Sequence, residues 1–225
     1  MPPPTGAPRP RSPLPSPAGT AAVTAVLSAL LLVLVAVRLG PLVSFDRAVA
    51  DGLHRSALAE PGFTRVNRVF SDWVWDPWTM RLVAAATVVL LLWRGLGLLA
   101  VWVAAASALG TGLQQALKSL VGRERPVWPD PVDSAQYAAF PSGHAMTAAV
   151  TCGLLLWLLG RRGVGPRLWW AAVLCAAVSV LGVGFTRVYL GVHWPTDVVA
   201  GWLLGVCLVA CAIASYGRVA LNREG

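Results

Sequence analysis

From Leu82 to Leu117 run 36 residues with a single charge, Arg94. As one helix this stretch would be about 54 Å long, against a hydrocarbon core of about 30 Å, so it has to fold back on itself. The Arg94-Gly95-Leu96-Gly97 stretch is the natural turn and predicts helices near 78–93 and 96–117. Further apolar runs lie at 142–160, 168–185 and 197–216, and Thr20 to Val37 is an uncharged run of 18 residues. The total is six spans. Only 12% of the 225 residues are charged and 56% are hydrophobic, where a soluble domain is nearer about 25% charged. This composition excludes a disordered chain, a disulfide scaffold and an ordinary nucleic-acid binder. Much of the formal net charge of +8 is then accounted for by basic residues anchoring helix ends at a membrane face, and no nucleic-acid partner is expected.

Residues 1–19 carry eight prolines with Arg9 and Arg11. Proline at that density blocks helices and sheet ladders, so a flexible cytoplasmic tail is expected there. The run from Thr20 reads as a retained anchor rather than a cleaved signal peptide, because no small-x-small cleavage site follows it. Residues 41–77 mix acids and bases and predict an extramembrane segment, partly an amphipathic helix on the bilayer. Trp73, Trp75 and Trp78 there suit an interfacial belt. The reading is an all-α, six-transmembrane-helix bundle over 20–217, followed by a short cytoplasmic tail at 218–225. Six spans put both ends on one face, taken as cytoplasmic, and 41–77, 118–141 and 186–196 on the other. Cys152, Cys175, Cys207 and Cys211 lie inside apolar runs and read as small buried hydrophobes. His54 reads as a surface histidine, and Asp72 and Asp76 as interfacial loop charges. Gln114 and Gln115 either line a site or join helices, and Gly201-x-x-x-Gly205 is a close-approach face between helices. Tyr189 and Trp194 are interface anchors or border the path of a lipid.

The rare residues carry the chemistry. Lys118 is the only lysine and opens Lys118-Ser-Leu-Val-Gly-Arg-Glu-Arg125-Pro126. His144 and His193 fall at the same predicted membrane edge, beside Arg123, Arg125 and Arg187. Fixed cations flanked by two histidines make a receptor for a multiply charged anion, most simply phosphate. The segment Pro141-Ser142-Gly143-His144 opens an apolar helix whose exposed N–H groups form an anion site, with Ser142 as cap and Gly143 admitting a ligand to bare backbone. In Thr186-Arg187-Val-Tyr-Leu-Gly-Val-His193-Trp-Pro195-Thr-Asp197, Pro195 suits the first turn of the last helix. Asp197 can then reach back to one imidazole nitrogen of His193 and leave the other free to attack.

These three segments resemble the type 2 phosphatidic acid phosphatase superfamily, whose signature is Lys-x6-Arg-Pro, then Pro-Ser-Gly-His, then Ser-Arg-x5-His-x3-Asp. The one departure is Thr186 in place of serine. The resemblance implies a six-helix bundle of the kind shared with haloperoxidases, and a membrane phosphatase acting on a lipid phosphate. It implies that Lys118, Arg125 and Arg187, with Ser142 and Gly143, bind the phosphate. His193 would attack phosphorus, Asp197 would orient it, and His144 would protonate the leaving oxygen and then activate water. Neither a metal nor another cofactor is expected. Arg123 matches no motif position and is given a supporting role only. Polyprenyl (undecaprenyl-type) diphosphate, phosphatidic acid and phosphatidylglycerol phosphate are all candidate substrates. A lipid phosphotransferase and a non-enzymatic lipid or anion carrier stay open as alternatives, and six apolar spans argue against a soluble haloperoxidase. The sequence carries no signal for oligomeric state.

Overall fold

A computed structural model of the protein describes residues 16–224. Its helices are α1 (Pro17–Ala36), α2 (Gly40–Ala59), α3 (Pro61–Val69), α4 (Pro77–Trp93), α5 (Gly97–Val121), α6 (Gly143–Arg161), α7 (Pro166–Tyr189) and α8 (Pro195–Glu224), with a π-helical turn, Phe70–Val74, between α3 and α4. Five of them begin on proline, whose missing N–H costs nothing in a first turn and whose φ is already helical. Asp76 caps α4 by accepting from the backbone N–H groups of Trp78 and Thr79 at 2.7 and 3.3 Å. That gives one of the two acids expected at the interface a local structural task.

Six helical stretches are long and apolar enough to cross a membrane: Pro17–Ala36, Pro61–Trp93, Gly97–Val121, Gly143–Arg161, Pro166–Tyr189 and Pro195–Asn222. The expected turn at Arg94–Leu96 separates α4 from α5. The core lies where α4, α5, α6 and α8 meet, around Leu91, Val103, Leu154, Val209 and Tyr216. A second cluster joins α6, α7 and α8 through Ala145, Ala148, Val183, Val188 and Val198. The close approach of α8 to α6 depends on small residues. A Cβ on Gly201 would lie 2.7 Å from the Ser142 carbonyl, and one on Gly205 would lie 2.6 Å from Ala149 Cβ. The Gly201–Gly205 face is therefore used within the chain. Helix α1 runs along α8, with Cys207 Sγ 3.5 Å from the Ala21 carbonyl oxygen.

Several expectations need correction. Helix α2 is amphipathic as expected, burying Asp46, Ala50, His54 and Ala57 on one face, whereas α3 and the π-turn form one helical stretch with the span that follows. His54 is not on the surface: it is 5% exposed and stacked on Trp128, with ring centroids 4.1 Å apart. The periodicity of α2 turns it inward. The cysteines are not buried hydrophobes, since Cys175 and Cys211 are exposed and Cys152 and Cys207 only half-buried. The 218–225 tail is helix through Glu224. Of the proline-rich 1–19 segment, Pro17–Gly19 belong to α1 and residues 1–15 lie outside the described residues.

Candidate active site

Helix polarity brings four helix ends together, the C-termini of α5 and α7 and the N-termini of α6 and α8. Lys118 and Arg187 sit in the last turns of α5 and α7, and both are buried. Ser142 and Gly143 open α6, with His144 in its first turn, and Asp197 lies in the first turn of α8. The Ser142 N–H donates to the Asp197 carbonyl at 2.9 Å, which ties the two helix starts together. Just before α8, the N–H groups of Val192 and His193 both donate to the Arg187 carbonyl at 3.2 Å. The chain enters this turn at Gly191 with φ +71°, a conformation that favours glycine. All eight residues singled out in the sequence thus lie at one end of the bundle.

The cations are held by backbone. Arg125 Nε donates to the Tyr137 carbonyl at 2.8 Å, Nη2 to that of Gln136 at 2.9 Å and Nη1 to that of Val192 at 2.5 Å. Nη1 also lies 3.1 Å from His193 Nε2. Lys118 Nζ donates to the Ala138 carbonyl. Arg187 Nη1 donates to Ser71 Oγ at 2.7 Å and lies 3.9 Å from Asp133 Oδ2, while its buried Nε has no partner among the described residues. Leaving such a donor unsatisfied costs about 1–3 kcal/mol or more, so it marks a place for an acceptor.

His193 is 2% exposed, and its Nδ1 lies 3.4 Å from Asp197 Oδ2. Burial, reinforced by Arg125, Arg187 and Lys118, holds its pKa well below the usual histidine range. The ring is therefore neutral at physiological pH. With the proton on Nδ1, facing the carboxylate, Nε2 presents its lone pair toward Arg125. His144 is half-buried and within electrostatic reach of Arg187, His193, Arg125 and Lys118. Thr186 turns its hydroxyl to the Val183 carbonyl at 2.9 Å, so this side chain serves the helix backbone.

Sequence reasoning missed two participants, Asp46 and Ser71, and gave a third, Arg123, only a supporting role. Arg123 Nη1 lies 2.5 Å from Asp197 Oδ1, and Arg123 Nη2 lies 2.6 Å from Oδ2 of Asp46, a residue 1% exposed on α2. Ser71, in the π-turn, holds Arg187. No periodicity or motif pairs residues so far apart in the chain, although burial of an acid on the inner face of α2 could have flagged Asp46. Of the two glutamines, Gln114 is buried against Gly143 and Gln115 is exposed.

The sequence pattern described as the PAP2 superfamily matches residues 97–220, more than half of the chain. Over 93 residues the chain is 39% identical to an undecaprenyl-diphosphatase of Sulfolobus acidocaldarius, covering 40% of this chain and 39% of that protein. Over 98 residues it is 35% identical to phosphatidylglycerophosphatase B of Bacillus subtilis, covering 43% and 47%. The matches span less than half the length of these curated relatives. The fold also superposes on the crystal structure of a transmembrane PAP2-type phosphatidylglycerolphosphate phosphatase from Bacillus subtilis, with a TM-score of 0.76, 21% identity, and coverage of 89% of this chain and 97% of that one.

Proposed function

This chain belongs to the PAP2 superfamily, and from that premise we propose that it is an integral membrane phosphatase that hydrolyses a lipid phosphate or diphosphate through a phosphohistidine. The Nε2 lone pair of His193 attacks phosphorus. The bond to the leaving oxygen breaks, and that oxygen takes a proton from His144. Water, deprotonated by His144, then breaks the P–N bond and releases phosphate. Lys118, Arg125, Arg187 and the N–H groups at the start of α6 hold the non-bridging oxygens and offset the charge that develops there. Asp197 keeps the Nδ1 proton in place and faces the positive charge that His193 acquires.

The observation that carries this reading is the contact between Arg125 Nη1 and His193 Nε2 at 3.1 Å. A phosphate-binding cation and a neutral imidazole lone pair face each other, so a phosphoryl group that engages one meets the other. The unpartnered Nε of buried Arg187 supports it as a second donor awaiting an oxygen.

A site at the helix ends lets a headgroup react while its chain stays in the bilayer, which favours a lipid substrate. The names of the relatives favour an isoprenoid diphosphate or phosphatidylglycerophosphate. We place the site on the extracytoplasmic face. The test is phosphate release by purified protein in detergent across a panel of lipid phosphates, with and without an alcohol acceptor. Hydrolysis releases phosphate in both arms, whereas a transferase consumes substrate only with the acceptor present and passes the phosphoryl group to the alcohol without releasing phosphate. His193→Ala should lose turnover by about 10³-fold or more, and a carrier or other non-enzymatic protein would show no turnover to lose.

A further inference from the structure

We propose that Asp46 and Arg123 are positioning residues that set the aim and the charge of Asp197 behind His193, which makes α2 part of the active site. The inference rests on the phosphohistidine reading above. Arg123 forks between two carboxylates. Its Nη1 lies 2.5 Å from Asp197 Oδ1 and 2.7 Å from Thr196 Oγ1, and its Nη2 lies 2.6 Å from Asp46 Oδ2. Thr196 closes the ring by donating its N–H to Asp46 Oδ1 at 3.0 Å and its hydroxyl to Asp46 Oδ2 at 2.6 Å. Asp46, Thr196 and Asp197 are 1%, 4% and 0% exposed. The indole of Trp194 covers the guanidinium, 5.7 Å from its centroid.

Two consequences follow from this geometry. The first concerns aim. Because Arg123 takes Oδ1, the other oxygen of Asp197 is left to accept the Trp194 N–H at 2.9 Å and to face His193 Nδ1 at 3.4 Å. Rotation of the carboxylate is thereby blocked. The second concerns charge. Arg123 alone would form a neutral pair with Asp197 and cancel its field at His193. Asp46 answers the guanidinium from the other side, so the buried trio as carboxylate, guanidinium and carboxylate carries one net negative charge. Such an uncompensated charge is costly inside a protein. It becomes favourable when His193 forms its bond to phosphorus and turns positive while keeping the Nδ1 proton. The trio therefore favours the phosphorylated histidine over the resting one, and its contribution belongs to kcat.

The test uses the full chain purified in detergent, with Asp46→Asn, Arg123→Lys, Thr196→Val and His193→Ala. Asp46→Asn keeps the shape of the side chain but removes the second negative charge, and Arg123→Lys keeps the charge but loses the fork. Each should lower kcat by about 10- to 100-fold, while KM for the lipid phosphate and the inhibition constant of inorganic phosphate stay within about 2-fold. Asp46→Glu, which restores the charge, should recover part of the loss. A protein of unchanged melting temperature whose kcat is also unchanged in Asp46→Asn and Arg123→Lys overturns the proposal. So does a parallel collapse of phosphate affinity, which would mark a purely structural role. Should Asp46→Asn fail to fold, Arg123→Lys and Thr196→Val carry the test of aim, the second by removing the hydroxyl that accepts from Arg123 Nη1 and donates to Asp46 Oδ2, and an unchanged kcat in both overturns the proposal. An active His193→Ala would instead overturn the phosphohistidine reading itself, whatever the other variants do.

Discussion

His193 sits where burial and three neighbouring cations act in the same direction, and all of them favour the neutral ring. Lowering a histidine pKa on folding has two opposite-looking effects. On the proposed mechanism activity gains, because the nucleophile stays deprotonated below the ordinary histidine value of about 6.5. Stability suffers in acid, because below that pH the unfolded chain binds a proton that the folded protein refuses. The acidic limb of the kcat/KM profile should therefore have its midpoint below pH 6.5, and a limb centred at or above that value would contradict a buried neutral nucleophile. His54 is lowered too, by burial, and both of its ring nitrogens lack hydrogen-bond partners among the described residues. It too contributes stability that is present above pH 6.5 and lost as pH falls. His54→Phe preserves the stack on Trp128 and should flatten the decline of melting temperature between pH 6.5 and 5, a comparison that thermal scans in detergent can make. Arg187→Lys should weaken competitive inhibition by inorganic phosphate by about tenfold or more, because a single ammonium nitrogen cannot stand both where Nη1 holds Ser71 and where the unpartnered Nε points.

Among the elements, α6 and α8 carry the most consequence, because their N-terminal ends bear Ser142 and Asp197 and are tied by one backbone bond. Their spacing depends on Gly201. A methyl group there would press on the Ser142 carbonyl at 2.7 Å and the Met146 nitrogen at 3.0 Å. Gly201→Ala should cost about 1–3 kcal/mol and reduce activity through the displaced helix start. Gly112 in the exposed middle of α5 has open space around it, so Gly112→Ala should be neutral or stabilising by up to about 1 kcal/mol. Melting curves of the two variants give the contrast. This level was the most legible from sequence: the lengths of the apolar runs and the Arg94–Leu96 turn locate the starts of α1 and of α4 to α8 to within about three residues, while α8 runs on to Glu224, past the expected end at 216. The apolar run 168–185 falls short of α7, which runs from Pro166 to Tyr189, because the backbone continues as helix through the polar flanks Arg167, Arg187 and Tyr189. The inner face of α2 was harder to read. Its buried stripe mixes Asp46 and His54 with two alanines, and polar residues on a buried face look like surface to a hydropathy pattern.

Seen as a whole molecule, the bundle gathers its cations, histidines and the Asp46–Arg123–Asp197 trio at one end. The turn between α6 and α7 lies at the other. The three motifs were readable because their side chains are rare in an apolar chain, whereas the trio was not, because Arg123 meets Asp46 and Asp197 across separations of 77 and 74 residues. The proposed outward-facing site predicts that an impermeant thiol reagent labels Ser134→Cys in intact spheroplasts and Arg162→Cys only after permeabilisation; the reverse pattern would turn the protein over in the bilayer. The account's central claim concerns the bond that forms during turnover. Rapid quenching of the protein with a radiolabelled lipid phosphate should trap label on the chain in an acid-labile, base-stable form. The label should map to the peptide containing His193 and be absent from His193→Ala. Turnover at the wild-type rate with no such label, or a label that survives His193→Ala, would contradict it.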